Sequence, residues 1–479
     1  MRVNRYIDIV SMLQAEHVGS THPRYLALAR GIGQGIRDGK VPKGSKLPPH
    51  RILADALKVS IGTVSRAYAE LERLGLITSR VGDGSYVSDG HTLPSEAIEF
   101  RNVLDIDPSV IDLSINMHLS SRERDCLSES LIDLASDKDM LDPLLDYTPE
   151  QGLAWHREQA AHWLSRSHIE ADPDNILCTN GAQHALLCAM MACLKPGAKL
   201  ATEEFTYPGL ITLAKHYHLK LYPIRTDQEG LIPSDLAAHL KQHPIAALFC
   251  TPTLQNPTAS VMPTKRREQI AALCQQHNTL IIEDDVHGVL VEDRPAAMQV
   301  LAPERTLFCT SLSKAVSSGL RTGYLLTPPA LTQKASRALR ASCWMASPLP
   351  LEIASQWIAD GTADALRDDF LREVTRRKAL VNAQLSGLEV TTHPQCPHYW
   401  IRAPEGTQGR DLEHTLAQQH VKIKPSDTFA VNTQAHTQHI RISVTTQADD
   451  AALVRGFTAI GDVLRQARPT ETPPPRVHF

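Results

Sequence analysis

Between residues 170 and 330 the sequence alternates short apolar runs with longer helical patterns. The apolar runs cover residues 176–178, 246–250, 280–282 and 307–309, and each ends in a glycine or polar cluster. Short buried runs separated by helices are typical of a mostly parallel sheet covered by helices on both faces. Ligands of such sheets bind at the carboxyl ends of the strands. The polar residues that follow these runs are therefore the candidate functional residues.

Lys314 stands at one of these strand ends, behind Ser311 and Ser313 and seven residues before Arg321. A lysine amine attacks an aldehyde only when it is partly neutral, which requires burial or a neighbouring cation, and Arg321 is a candidate for that cation. The hydroxyl and guanidinium groups also suit a phosphate. An amine beside a phosphate pocket indicates pyridoxal phosphate held as a Schiff base. The alternative is an ordinary solvated loop lysine.

The length and composition predict a globular protein with more than one domain. A chain of 479 residues exceeds one ordinary core, and 42% of the residues are hydrophobic with a formal net charge of -4. Nine cysteines without a C-x-x-C pair fit a reducing compartment and argue against a disulfide framework or a zinc cluster, so we expect no metal. Neither a leader pattern nor an apolar run of about 20 residues is present. We expect a cytoplasmic protein without a membrane partner.

The first ninety residues differ from the rest in charge and pattern. They hold 13 Lys and Arg against 8 Asp and Glu, which indicates a nucleic-acid partner. Helical patterns begin at Pro23, near residue 50 and after Ser60, a candidate N-cap, and two strand-like runs flank residues 82–84. The third helix is expected to bury one apolar face, formed by Val64, Ala67, Tyr68, Leu71 and Leu74. Three helices and a hairpin describe a winged helix-turn-helix, whose third helix enters the major groove. Gly62 would let that helix approach DNA closely; the alternative is a protein-docking module.

Residues 23–88 also carry specific motifs of one regulator family. The pattern Lys43-Gly-x-x-Leu-Pro-x-x-Arg51, then Val59-Ser-x-x-Thr-Val-x-Arg66 and Gly82-x-Gly84-Ser-Tyr-Val, resembles the GntR family of bacterial regulators. The resemblance implies double-stranded operator DNA as a partner. It implies phosphate contacts from Arg51 and Arg66, a wing tip at Gly84, and four residues facing the bases, Ser60, Ile61, Gly62 and Thr63. Ile61 stands where many relatives have arginine, so we expect one family contact to be missing.

The large domain carries a second set of family motifs. Ser311-Leu-Ser-Lys314 with Gly319-Leu-Arg321-Thr-Gly-Tyr resembles the S-x-S-K-x-x-x-P-G-x-R-x-G-[YW] motif of class I and II aminotransferases, with Ser318 at the usual proline. Further matches surround five residues: Tyr147, Gly181, Tyr207, Asn256 and Arg441. The resemblance implies the fold of pyridoxal phosphate-dependent transferases, with a smaller C-terminal α+β subdomain.

By this resemblance Lys314 is the catalytic residue that carries the cofactor. The phosphate-binding residues would be Gly181, Ala182, Gln183, Ser311, Ser313 and Arg321, with Tyr147 reaching the phosphate of the partner in a head-to-tail homodimer. Tyr207 would stack on the pyridine ring, Asn256 would donate to its phenolic oxygen, and Asp284 would face its nitrogen. Arg441 would pair with the substrate α-carboxylate. Relatives have a tyrosine near the position of His287, which either substitutes as a donor or lacks a cofactor contact.

The predicted domains are a DNA-binding domain over 1–88, a linker over 89–110, an aminotransferase-like domain over 111–467 and a disordered Pro-rich tail over 468–479. Joined in this way, the two domains resemble the MocR subfamily of regulators. The leading hypothesis is a transcriptional regulator whose effector is an amino compound or the vitamer itself. Family glycines are missing from residues 115–118 and 396–400, on the substrate side, which weakens the alternative of a working aminotransferase with an accessory DNA-binding domain. A repressor with an inactive large domain is the third hypothesis.

Overall fold

The computed structural model describes residues 24–37, 40–42, 44–73, 76–80, 84–87, 109–432, 438–446 and 449–467. Most of the predicted linker, the predicted tail, residues 82 and 83 of the hairpin turn, and Leu74 lie outside these ranges. The main division between two compact units falls after Phe100. We call the described residues 24–87 the head and the described residues from 109 onward the body.

The head contains three helices and one antiparallel hairpin. The helices are α1 Arg24–Arg37, α2 His50–Leu57 and α3 Ile61–Arg73, and the strands are β1 Ile77–Arg80 and β2 Gly84–Val87, with Ile77 opposite Val87. The predicted apolar face of α3 is buried, namely Val64, Ala67, Tyr68 and Leu71. These residues pack with Leu28 and Leu53 into one core, which confirms the predicted helix-turn-helix with a hairpin.

The body is built on a seven-stranded sheet in the order β4-β12-β11-β10-β9-β5-β6. Its strands are β4 Ile176–Thr179, β5 Lys199–Glu203, β6 Lys220–Ile224, β9 Ile245–Cys250, β10 Leu280–Asp284, β11 Thr306–Ser311 and β12 Gly323–Leu326. Strand β12 pairs antiparallel with β4 and β11, and the other pairings are parallel. The mostly parallel sheet predicted from the alternating pattern is confirmed.

Helices cover both faces of this sheet. Leu307 and Cys309 pack in one core with residues of the helices Ala182–Cys193 and Pro329–Cys343. Phe308, between them in sequence, packs in a different core. Successive residues of a strand point to opposite faces, so the two cores lie on opposite sides. The body helices are α4 Glu123–Ser136, α5 Lys138–Leu141, α6 Ala154–Ser165, α7 Ala182–Cys193, α8 Pro208–His216, α9 Pro233–Gln242, α10 Thr264–Gln276, α11 Met298–Leu301, α12 Pro329–Cys343, α13 Pro348–Ala359, α14 Thr362–Val381, α15 Gly409–Ala417 and α16 Asp450–Gln466.

A second, smaller sheet forms the C-terminal α+β part that the sequence predicted. It runs in the order β13-β14-β17-β16, with β13 Val390–Thr391, β14 His398–Arg402, β16 Lys424–Pro425 and β17 His439–Ser443. Four short strands complete the set: β3 Ile111–Asp112 pairs with β15 Val421–Lys422, and β7 Thr226–Asp227 pairs with β8 Gly230–Leu231. Within the described part of the chain, every helix is too short or too polar to span a bilayer.

Candidate functional sites

The strand ends of the large sheet bring several of the predicted residues together. Ser311, at the end of β11, is opposite Gly323 of β12, and Gly323 is opposite Thr179 at the end of β4. The segments that follow β4 and β11 therefore meet across β12. This is the edge at which ligands bind in open α/β sheets.

An arginine and a glycine turn form a cradle at this edge. Arg321 donates from Nη1 to Ser313 Oγ over 3.2 Å, and a Cβ placed on Gly181 would lie 2.5 Å from Arg321 Nη2. Gly181 has a φ of 80° and directly precedes α7. A helix N-terminus beside a guanidinium attracts an anion through its free N–H groups and its dipole. The predicted phosphate residues Gly181, Ala182, Gln183, Ser311, Ser313 and Arg321 are thus neighbours.

Tyr207 and Gln183 close one side of this cradle above Gly209. Gln183 donates from Nε2 to the Gly209 carbonyl over 3.2 Å, and a Cβ on Gly209 would lie 2.3 Å from Tyr207 Cε1. Only glycine at position 209 leaves room for both side chains. The aromatic ring proposed to stack on the cofactor therefore lies beside the proposed phosphate cradle.

Lys314 has a perturbed amine. Its Nζ donates to the carbonyl of Asn116 over 2.8 Å. Burial lowers the pKa of the amine to about 8, with further lowering by the positive charges of Arg441 and Arg321. The sequence predicted Arg321 as the neighbouring cation; the structure adds Arg441, whose influence on the pKa is larger. At pH 7 roughly a tenth of such an amine is neutral, against less than about one part in a thousand for an ordinary lysine.

Asp284 ends β10 as a buried carboxylate. It accepts a hydrogen bond from Val286 N over 3.3 Å, and burial raises its pKa to about 7. A protonated ring nitrogen placed against it would keep it ionised, because an opposite charge favours the charged form. Its position therefore suits the predicted role.

Arg441 is held between two neutral oxygens. Its Nη1 donates to Asn256 Oδ1 over 2.8 Å and its Nη2 to the Ser114 carbonyl over 2.5 Å, while its guanidinium carbon lies 5.0 Å from the ring centre of Phe429. Burial lowers its pKa to about 10. A buried guanidinium whose hydrogen bonds go to neutral oxygens has charge available for a ligand carboxylate. Sequence reasoning identified Arg441 and Asn256 but missed their direct contact.

His287 is buried beside these groups. Within the described residues neither ring nitrogen has a hydrogen-bond partner. Burial, then Lys314 and Arg441, lower the pKa of His287 to about 3, so the ring is neutral and offers one donor and one acceptor. Its substitution for the family tyrosine stays a prediction.

Tyr147 is exposed on the surface of its own chain. Its side chain is 79% exposed and its ring centre lies 5.9 Å from that of Trp344. An exposed aromatic pair of this kind fits a contact with a second subunit, which stays a prediction.

The head presents the predicted DNA-facing residues on its surface. Arg51, Ser60, Ile61, Gly62, Arg66 and Gly84 are exposed, and Thr63 is half-buried. Ser60 Oγ accepts from Thr63 N over 3.1 Å, which is the predicted N-cap of α3. Tyr68 on the same helix donates to the Pro48 carbonyl over 2.7 Å. The first of these hydrogen bonds caps the start of α3, and the second holds the helix against the segment that precedes α2.

Comparison with known families agrees with both halves of this description. Residues 108–457 match the family described as aminotransferase class I and II, and residues 24–87 match the bacterial regulatory proteins of the gntR family. The chain belongs to the class I and II aminotransferase family. Its first part is a GntR domain, and the combination is that of the MocR subfamily of DNA-binding transcriptional regulators.

Two of the matching relatives align with this chain over most of its length, and a third aligns over almost two thirds of it. The chain is 27% identical to the uncharacterised HTH-type transcriptional regulator YdeF of Bacillus subtilis, over 88% of this chain and 90% of that protein. It is 26% identical to the HTH-type transcriptional regulator TauR of Rhodobacter capsulatus, over 91% and 96%. It is 28% identical to the pyridoxine biosynthesis transcriptional regulator PdxR of Corynebacterium glutamicum, over 63% and 65%.

Solved aminotransferases share the fold of the body. An archaeal alanine:glyoxylate aminotransferase has a TM-score of 0.69 at 20% identity and covers 74% of this chain and 91% of its own. The α-aminoadipate aminotransferase LysN of Thermus thermophilus has the same TM-score at 20% identity and covers 78% and 96%. At this identity the likeness shows the fold alone.

The family cofactor, pyridoxal phosphate, fits the residues present in this chain. The amine of Lys314 has a lowered pKa, a guanidinium and a helix N-terminus form an anion cradle beside it, and the two nitrogens of His287 have no partner within the described residues. When bound, the cofactor would serve as an electron sink for the amino group of a ligand. Lys314, Asp284, Asn256 and Tyr207 would hold its ring, and the cradle residues would hold its phosphate.

Proposed function

We propose that this chain is a transcriptional regulator that holds pyridoxal phosphate at Lys314 and changes its DNA affinity when a small amino compound or the vitamer binds there. The observation that carries the proposal is the amine of Lys314, whose pKa is lowered to about 8 by burial and by the charges of Arg441 and Arg321. Arg321 serves the phosphate, and Arg441 serves the carboxylate of an amino acid. A site with these two arginines fits amino compounds that also carry an acid group.

The ligand would act by favouring one arrangement of the regulator over another. A ligand can shift such an equilibrium only by its difference in affinity for the two states. Arg441 lies on β17 of the smaller sheet, whereas its partner Asn256 follows β9 of the large sheet. A carboxylate bound by Arg441 would act directly on this connection, which supports a sensing role for the site.

The partners and boundaries of the regulator form part of the same proposal. We infer a homodimer in which Tyr147 reaches the phosphate of the partner subunit, supported by its exposure and its exposed neighbour Trp344. The domains are proposed at 1–88 and 111–467, separated by a linker and followed by a tail. The protein would act in the cytoplasm, where operator DNA is available.

Selection of DNA from a random library with the full-length protein tests the DNA-binding part. The selected duplex is then titrated at several salt concentrations with wild type, Arg66→Ala and Arg51→Ala. Each variant should weaken binding across sequences and reduce the salt slope by roughly one, because each loses one phosphate contact. Arg337→Ala, an exposed arginine of the body, is the matched control and should leave the slope unchanged. A library from which no sequence is enriched would contradict a regulator of specific operators.

The link between the two domains is tested with the same duplex. Its affinity is measured at fixed salt with and without pyridoxal phosphate and with a panel of amino acids, for wild type and Lys314→Ala. We expect ligand-dependent affinity in wild type that is lost in the variant. Equal affinity under all conditions would contradict the sensing role.

A second candidate function is transamination. The contact between Arg441 and Asn256, together with the buried Asp284, favours it because these residues would orient an amino acid at Lys314. Screening amino acid donors for formation of the keto acid tests it. Turnover by wild type that is absent from Lys314→Ala would support an enzyme; no turnover with any donor would leave the sensing role alone.

A further inference from the structure

Two residues from segments that differ from the family motifs, Asn116 and His398, are in contact beside Lys314. Asn116 and His398 occupy segments in which the family's usual glycines are missing. Their side chains are in contact, with Asn116 Nδ2 2.9 Å from His398 Nδ1, although 282 positions separate them in the sequence. The backbone carbonyl of Asn116 accepts the hydrogen bond of Lys314 Nζ. The pair therefore lies at the reactive amine.

The pair is buried but incompletely hydrogen-bonded. Asn116 is 6% exposed and His398 is 0% exposed. Within the described residues, Asn116 Oδ1 has no hydrogen-bond partner, and His398 Nε2 has none of ordinary geometry, although the backbone of Gln255 lies close enough to the imidazole to raise its pKa. Buried polar atoms without partners are rare because each costs roughly 1 to 3 kcal/mol. An acceptor without a partner, in contact with an imidazole that has only a weak backbone partner, indicates a ligand group that completes the pair.

The surroundings of the pair define where that ligand group would lie. The ring centre of His398 lies 6.1 Å from that of His287, and the charge of Arg441 contributes to the lowered pKa of both imidazoles. Lys314 and Arg441 mark the two ends of a bound amino acid, its amino group and its α-carboxylate. Asn116 and His398 are then placed to contact its side chain.

The chemistry of the pair favours an uncharged polar side chain. Burial lowers the pKa of His398 well below its usual value, so its imidazole is neutral. When Nδ1 accepts from Asn116, the remaining Nε2 is a donor and Asn116 Oδ1 is an acceptor. A hydroxyl or carboxamide can both donate and accept, whereas an aliphatic group leaves Asn116 Oδ1 unsatisfied and a carboxylate cannot donate to it.

We propose that Asn116 and His398 form a specificity-determining subsite that selects α-amino acids with a hydroxyl or carboxamide side chain as the effector. This inference rests on the proposed function, since it names the substrate class of the same site. It assigns a role to two residues that none of the family motifs in this sequence accounts for.

Near-isosteric pairs of amino acids test the subsite. Full-length protein loaded with pyridoxal phosphate is titrated by calorimetry with threonine against valine and with asparagine against leucine. Wild type should bind the polar member of at least one pair about tenfold more tightly, since a hydrogen bond to a buried group contributes roughly that factor. In Asn116→Leu the ratio should fall towards one while the affinity for valine and leucine is kept.

Three further variants separate recognition from a structural role. His398→Leu should also abolish the preference, and His398→Gln should retain part of it because the amide can still donate. Asn175→Leu removes an asparagine just before β4 that accepts a hydrogen bond from Thr332, and it should leave the ratio unchanged. The absorption band of the bound cofactor and the melting temperature show that each variant is folded and loaded.

The outcomes distinguish the inference from the function on which it rests. Equal affinity for the polar and aliphatic members in wild type, or a preference that survives both Asn116→Leu and His398→Leu, would overturn the subsite alone. A wild-type protein that takes up no cofactor, or binds no amino acid, would overturn the proposed function together with it. If His398→Leu fails to fold, Asn116→Leu and His398→Gln still decide the result.

Discussion

Replacement of Gly181 by alanine should weaken cofactor binding far more than it weakens the fold. An added Cβ would lie 2.5 Å from Arg321 Nη2 and 3.0 Å from its Cζ, so the guanidinium must move out of the cradle. Arg321 would then lose a charge-assisted hydrogen bond to the phosphate, which contributes roughly 1.5 to 3 kcal/mol, or about 10- to 150-fold in affinity. The positive φ of 80° adds a backbone cost of about 1 to 2 kcal/mol to the folded state.

Gly197→Ala is the matched control for that backbone cost. Gly197 has a φ of 85°, and an added Cβ would meet no atom within 4 Å. Both variants should therefore melt at lower temperature without cofactor, but only Gly181→Ala should show the large rise in the dissociation constant. Titration of each protein with pyridoxal phosphate, followed by its absorbance, measures the effect. Equal cofactor affinity in the two variants would refute the cradle formed by Gly181 and Arg321.

Three other replacements test separate parts of the account. Arg441→Met removes a positive charge that lowers the pKa of Lys314, so this pKa should rise from about 8. The absorbance change on addition of the cofactor, measured against pH, should then have its midpoint at higher pH. An unchanged midpoint would contradict the coupling of Arg441 to Lys314. Asp284→Asn removes a carboxylate whose pKa is raised to about 7. Cofactor-free wild type should therefore lose stability relative to the variant as pH rises from about 4 through about 7. Free energies of unfolding, from denaturant titrations, that differ by a constant amount across this range would contradict the burial of Asp284. Ser60→Ala removes the N-cap of α3 and should cost about 1 kcal/mol in unfolding of the head, whereas Ser60→Thr keeps the capping hydroxyl and should cost less. Equal unfolding midpoints for wild type and Ser60→Ala would count against the cap.

The large sheet could be predicted because its signal is local. Apolar runs such as residues 307–309 are short, lie between helical patterns and end in polar residues, so strand type and direction follow from general rules. The cap at Ser60 and the buried face of α3 were predictable for the same reason. Strand bounds were less accurate: β11 extends to Ser311 and β10 to Asp284, because pairing with neighbouring strands continues beyond the apolar residues.

The contacts within the candidate site could not be predicted in the same way. Asn116 and His398 are remote in sequence, and nothing in either segment indicates that their side chains touch. The contribution of Arg441 to the pKa of Lys314 likewise depends on how the smaller sheet packs. The missing family glycines were visible in both segments, and they are the one sequence signal that could have directed attention to this pair.

The most direct test of the account is the visible absorption spectrum of the purified full-length protein with pyridoxal phosphate, before and after borohydride reduction, for wild type and Lys314→Ala. The account predicts a band in wild type that borohydride abolishes and that is absent from the variant, because the amine of Lys314 holds the cofactor. The same band in both proteins, or no band in wild type, would contradict a cofactor site at Lys314 and with it the sensing role of the body.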